Sequence, residues 1–355
     1  MAVYKRMMSV SPHIKSDATT SRVMKDVIIA LVPSMLAMVL IFGFYPLMTM
    51  LISVVSCVCA EYLFCVITKQ KCTLNDYSAV VTGVILAMNL PPVVPFYVPL
   101  IGGFFAIMVV KMLFGGLGKN FANPALTARI FLMLAWAGTM TKFVAPIDLS
   151  KGFGEMFKYF GAFFGGVDSL PGGVDVLTTA TPLAQFKIND FAGINITNAF
   201  LGNIGGCAGE VSSLALIIGG VYLIVRKVID YKIPLLFLGT VAVLTPLFNM
   251  SFASILPALF SGGLMLGAFF MATDYTTSPN TTLGIIIYSI GCGFFTVLFR
   301  EFSSMTEGVS FAILIMNIVT PLLDKFIIPK PFGYVKVKKE KVKKVKVEKA
   351  KEEVK

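Results

Sequence analysis

Ten long apolar runs constrain this chain more than any other feature. They cover roughly residues 27–45, 47–67, 78–90, 96–114, 121–138, 211–226, 233–250, 254–272, 282–299 and 307–328. A run of about 20 apolar residues is the length of a helix crossing a bilayer's hydrocarbon. Unbroken runs, without period-two alternation, select helices over a β-barrel. Composition agrees, with 56% hydrophobic and 14% charged residues, where soluble domains carry roughly 25% charged. The expected fold is an all-α polytopic membrane protein of about ten transmembrane helices.

Several runs are too short to span upright. The third ends in Asn89-Leu90-Pro91-Pro92 and the fifth opens with Asn123-Pro124. Short, proline-interrupted segments point to discontinuous helices lining a cavity, where freed backbone groups find partners. Residues 1–26 are polar and mixed, and the first run is long enough to span, so no cleavable leader is expected.

Basic residues set the orientation. With the N-terminus inside, Lys5, Arg6, Lys15, Arg22 and Lys25 are cytoplasmic, as are Lys69/Lys71, Lys111/Lys119, Arg226/Lys227/Lys232 and the Lys-rich tail. The short loops then left outside, near 46, 92–95 and 251–253, hold no Lys or Arg. The reverse arrangement breaks the positive-inside rule at nearly every loop. Residues 139–210 become an extracytoplasmic loop, too long for a simple connector. This loop divides five runs from five, and an odd number per half makes any repeat an inverted one. Asn89–Pro92 resembles Thr273–Pro279, and Asn123-Pro124 has a loose counterpart in Asn317 and Pro321. The expected organisation is a cytoplasmic arm (1–26), a five-helix half (27–138), the loop (139–210), a second half (211–328) and a cytoplasmic tail (329–355).

The formal net charge of +11 sits largely in that tail, where 330–355 hold eleven Lys against four Glu. Lysines beside a span are not a nucleic-acid signature. They meet anionic lipid or a partner protein, or form a solvated tail. None of the six cysteines makes a CxxC pair, and Cys57, Cys59 and Cys65 fall in one apolar run, where cysteine serves as a small hydrophobe. An iron–sulfur cluster held by this chain alone is not expected. The single histidine, His13, rules out a bis-histidine haem and a His-rich zinc site.

Four stretches carry chemistry. Gly115–Ala125 (GGLGKNFANPA) is a Gly-rich turn entering a helix. It either offers backbone N–H groups to an anion or ring edge, or is a tight turn capped by asparagine. Its spacing is not that of a nucleotide phosphate loop. Gly202–Glu210 (GNIGGCAGE) is a similar turn, and the macrodipole favours Glu210 at the helix start that follows. Arg129 falls inside the fifth run, so its charge needs a partner or a ligand. Asp274 either has a functional role or caps the next turn; Arg300 and Glu301 look interfacial. Finally, Asp175-Val176-Leu177-Thr178-Thr179-Ala180-Thr181-Pro182 puts hydroxyls on the loop. A hydroxyl can take a phosphoester, which a flavin nucleotide supplies at a distance from its ring; Thr-rich turns are also ordinary.

Several motifs, in order, carry a family resemblance: Ser11-Pro12-His13, the stretch 114–129, the D-x-x-[ST]-x-A-T pattern at Asp175–Thr181, Gly202–Glu210, Phe269–Asp274, and Glu307–Ala312 with Asn317. The chain resembles the RnfD subunits of Rnf electron-transport complexes, and more distantly the NqrB subunits of sodium-pumping NADH:quinone oxidoreductases, over about 10–328. The resemblance implies FMN esterified to Thr181 by a flavin transferase, and a noncovalent riboflavin. Asn120, Asn123, Arg129 and Asn203 are candidate flavin contacts; Glu210 and Asp274 are candidate ion-coupling groups. It also implies a prokaryotic cytoplasmic-membrane complex passing electrons between ferredoxin and NAD, coupled to Na+ or H+ movement, with the other Rnf subunits (A, B, C, E, G) as partners. Having no NAD fingerprint, this chain would be one relay station. The other readings of the residues are an inverted-repeat channel or transporter without redox role, and a passive anchor.

Overall fold

A computed structural model describes residues 19–70, 72–170, 181–187, 193–303 and 308–327. Ser11–His13, Lys71, Asp175–Ala180, Glu307 and the Lys-rich tail lie outside the described residues. All regular structure among the described residues is helical.

Five helices are long and apolar enough to cross a membrane: α1 (Thr20–Phe42), α2 (Tyr45–Thr68), α10 (Lys232–Asn249), α13 (Thr282–Phe302) and α14 (Val309–Phe326). Four shorter apolar helices are α3 (Ser78–Met88), α4 (Tyr97–Phe105), α5 (Pro124–Ala135) and α9 (Ser213–Val225). The eighth run is bent by 68° between α11 (Ile255–Phe260) and α12 (Leu264–Leu266). Small helices α6 (Ala137–Met140), α7 (Pro182–Lys187) and α8 (Ile196–Leu201) complete the set. Each apolar run thus meets a helix or a helix pair. The first helix starts at Thr20 instead of residue 27, because the Thr19 side chain accepts the Arg22 amide and caps it there.

The bundle has two faces, marked by the ends of α1. At 23 residues this helix is about 35 Å long. Its start lies with the starts of α3 and α5 and the ends of α4 and α9, which we call the basic face. Its end lies under residues 144–170, the loop face. There Gly43 ends α1 at φ 81°, and a Cβ on it would stand 2.5 Å from the Met156 carbonyl oxygen. The loop is therefore packed down onto the corner between α1 and α2. Three backbone bonds stitch it: Phe44 N to Met156 O (3.0 Å), Ile147 N to Ile41 O (2.8 Å) and Phe96 N to Phe163 O (3.0 Å). Phe42, Tyr45, Met156, Tyr159 and Val167 share a small core beneath it.

Two runs contain π-helical turns, Ala106–Met112 continuing α4 and Gly267–Met271 continuing α12. Such turns are rare and concentrate at functional sites. Irregular chain follows a helix at Asn89–Phe96 and again at Ala272–Thr281, on opposite faces. Both short stretches with Pro-rich or Thr-rich sequence therefore end a helix, as discontinuous segments should.

Candidate functional site

The loop-face site starts where α3 stops. Ala208 N donates to Leu90 O and Gly209 N to Met88 O, both at 2.8 Å. The stretch 202–210 thus satisfies backbone groups freed by the end of α3. Ser34 Oγ donates to Gly209 O at 2.9 Å. Gly209 has to be glycine, since a Cβ would lie 2.4 Å from that of Met88.

This close approach delivers Glu210 to Arg129. Arg129 Nη1 donates to Glu210 Oε1 at 2.5 Å and to Asn89 Oδ1 at 2.6 Å, and Nη2 lies 3.3 Å from Cys207 Sγ. Both charged side chains are almost fully buried. Each removes the other's need for water, which no apolar surrounding could supply. The second Glu210 oxygen, Oε2, is buried without a hydrogen-bond partner among the described residues.

Thr181 opens onto the same place. It is half-buried at the start of α7 and lines a narrow cavity with Cys207, Glu210 and Gly262. A wider depression of about 240 Å³ adjoins it, sharing Pro182, Ile204 and Gly205, and presents Gln185, Asn195, Asn198 and Asn203. Ligand cavities begin at roughly 300 Å³, so this depression approaches that size and is rich in amides. Asn203 is exposed, at its rim.

A second cavity lies at the basic face. It is lined by Asn120, Asn123 and Lys111 among others, together with Leu223, Phe269, Phe270, Thr273 and Asp274. Its free volume is small, about 70 Å³. Asn123 caps α5 through Oδ1, which accepts from the amides of Ala125 and Leu126, while Nδ2 donates to Met271 O at 3.4 Å. It thereby joins the entrance of α5 to the π-turn Gly267–Met271. Asn120 is buried and its Oδ1 has no partner among the described residues. Asp274 is half-buried; its carboxylate accepts from Thr276 Oγ1 at 3.0 Å. Burial pushes this carboxyl above the usual range, against the hydrogen bonds from Thr276 and Thr277.

The sites are closer than their faces suggest. Ile85 of α3 lines the basic-face cavity and Asn89, capping that helix, binds Arg129; on α5, Ala125 lines the cavity and Arg129 follows. One helical turn, about 5–6 Å of axis, separates cavity from network on each helix. The structure thus brings Asn120, Asn123 and Asp274 to one cavity, and Glu210 and Thr181 to the other, with Arg129 bonded to Glu210 behind its lining and Asn203 in the adjoining depression.

Some residues differ from their sequence-based roles. Lys111 is not a loop lysine: it is buried in the π-turn of α4, where Nζ binds Glu61 Oε2 (2.8 Å) and Ser78 Oγ (2.7 Å), and Thr73 also donates to Glu61. A carboxylate at residue 61 and a lysine at 111, each within an apolar run, were the signal for this pair. Arg300 is buried rather than interfacial, donating to Ala258 O (2.6 Å) and Ser261 O (2.9 Å) where α11 ends. Glu301 accepts from Asn249 Nδ2 at 2.8 Å.

Residues 7–333 match the model of the NQR2, RnfD, RnfE family. The chain belongs to that family. Among its relatives is the D subunit of the Na+-translocating ferredoxin:NAD+ oxidoreductase complex of Acetobacterium woodii, 43% identical over 336 residues, 94% of this chain and 97% of the relative. Another is the D subunit of the proton-translocating ferredoxin:NAD+ oxidoreductase complex of Clostridium ljungdahlii, 37% identical over 348 residues, 92% and 96% of the two chains. The D subunit of the ion-translocating oxidoreductase complex of Vibrio cholerae is 35% identical over 341 residues, 91% and 98%. Family members this similar over their whole length share the bundle, so the cavities sit in a scaffold common to these proteins.

Proposed function

We propose that this chain is a membrane flavoprotein subunit of an ion-translocating ferredoxin:NAD+ oxidoreductase (Rnf) complex, bearing FMN on Thr181 and riboflavin in the basic-face cavity. The observation that carries the assignment to the complex is the end-to-end similarity to relatives named as its D subunit. Five apolar runs on each side of residues 139–210 fit two inverted repeats, with the loop face extracytoplasmic and both termini cytoplasmic in a prokaryotic inner membrane. The exposed Lys119 and Arg226 at the basic face favour that orientation. The other Rnf subunits (A, B, C, E, G) are its partners, with a flavin transferase for maturation.

The residues fit these groups. The Thr181 hydroxyl is the ester oxygen. The amides of Gln185, Asn195 and Asn203 line the adjoining depression as donors and acceptors, and Glu210 Oε2 is an acceptor awaiting a ribityl or imide donor. Arg129 offsets the Glu210 charge, so a phosphate nearby meets a neutral pair. At the other end, Asn120 Oδ1 is the orphaned acceptor. That cavity is tight, so a ring enters only if Leu117 and the turn 115–118 give way; Gly116 and Gly118, at φ 87° and 90° with open space around them, are suited to yield. When bound, a flavin supplies one- and two-electron redox chemistry, and the protein positions and tunes it. Of the two ion-coupling candidates, Glu210 is already compensated by Arg129, whereas Asp274 makes no ion pair among the described residues. Asp274 is therefore the stronger cation contact.

Thr181→Ala tests the attachment. The wild-type chain from cells making the flavin transferase should give a fluorescent band in a denaturing gel, and the variant none. A dark wild-type band overturns the proposal; a fluorescent variant moves the attachment to Thr178 or Thr179.

A further inference from the structure

Residues 152–164 have two apolar faces. One is buried: Met156, Tyr159 and Ala162 pack with Phe42 and Tyr45 in the small core under the loop. The other is a row of phenylalanines spaced four, three and four residues apart. Phe153, Phe157, Phe160 and Phe164 are 69%, 48%, 40% and 75% exposed. The rings of Phe153, Phe157 and Phe160 form a continuous strip, with Phe153–Phe157 centroids 5.7 Å apart and Phe157–Phe160 5.6 Å, and Phe164 packs on Phe163 at 5.0 Å. A loop standing in water gains by burying one apolar face and loses by presenting a second.

The strip's height says what covers it. Phe157 lies 5.2 Å from Phe44, at the corner joining α1 and α2. Phe164 lies 5.7 Å from Phe96, directly before α4. Both corners are where apolar helices leave the hydrocarbon. Tyr97 and Trp136, 5.9 Å apart, sit at the same level, and Trp and Tyr mark the membrane–water interface. The charges interleaved with the strip lie outside it: Lys158 pairs with Glu155 at 3.2 Å, and Lys151 reaches Asp148 at 3.8 Å. Apolar rings on one side with lysines at the margin are the make-up of an in-plane interfacial element.

We propose that residues 152–164 lie in the leaflet on the loop's side of the membrane. The rings of Phe153, Phe157, Phe160 and Phe164 sit among the upper acyl chains, and Lys151 and Lys158 reach the phosphate layer. The loop carrying Thr181 then stands on a lipid-seated platform that fixes its height, instead of floating in the aqueous phase.

Depth-resolved quenching tests this. The full-length chain is reconstituted in phosphatidylcholine vesicles with acyl chains brominated near either the glycerol end or the methyl end. Phe164→Trp and Phe157→Trp are separate single variants, read as the difference from the parent, whose only tryptophan is Trp136. The added emission should be blue-shifted, lost most in vesicles brominated near the glycerol end, and little affected by acrylamide. Emission quenched by acrylamide and not by bromine would put the strip in water. Emission quenched by neither would put it under protein. Either result overturns the proposal, and two independent positions keep the test available if one variant misfolds.

Discussion

Arg129 and Glu210 are the pair on which the loop-face site turns. Removing one partner leaves a buried charge alone, at a cost of about 3–5 kcal/mol. Arg129→Leu and Glu210→Leu should therefore each lower thermal stability in detergent sharply, while the double substitution costs much less than their sum. Strictly additive losses would show that the two charges do not compensate each other. Asp274 gives a signed pH effect. Its folded carboxyl is raised by burial, so between the unfolded and folded values the native state holds the extra proton. Stability contributed by this group is present below the unfolded value and is lost as pH rises through the folded one. Asp274→Asn should remove that part of the pH dependence of the melting temperature; an unchanged profile would contradict it. Sequence alone revealed that Arg129 needed a partner. It did not reveal which one, because Glu210 lies 81 residues away and is brought in by backbone bonds that leave no periodic trace. Asn120 was visible as a polar residue in a Gly-rich turn, but its orphaned oxygen belongs to the packing around it.

Among the described residues, every helix long and apolar enough to cross a membrane falls on one of the apolar runs, since burial in lipid writes itself directly into hydropathy. Their interiors were less legible. A π-turn needs no particular residue, so Ala106–Met112 gave no signal, and Lys111 read as a loop cation until the turn was seen to bury it against Glu61. Lys111→Met should destabilise the chain by stranding Glu61, and Glu61→Gln in the same chain should recover much of the loss; no recovery would mean the lysine acts through packing instead. The join between α3 and the stretch 202–210 rests on backbone proximity. Gly209→Ala drives a methyl into Met88 and should cost about 1–3 kcal/mol through overpacking, read as reduced yield and a lower melting temperature. A neutral substitution would show that these two irregular stretches are not tightly joined.

Taken together, the helices hold two cavities at opposite faces, with about one helical turn between the lining of one and the polar network of the other. Under the proposed function this geometry leaves a short partition between the two groups, with the mutually compensated Arg129–Glu210 pair within it. Relatives 43% and 37% identical are named as D subunits of complexes that translocate different ions, Na+ and protons. Whether Thr181 carries FMN is decided by mass spectrometry of the proteolytic peptide spanning 178–187. The chain should be isolated from an assembled complex active in ferredoxin:NAD+ electron transfer. This peptide should carry the mass of an FMN phosphoester, with fragmentation assigning it to Thr181. An unmodified peptide from an active complex would contradict it.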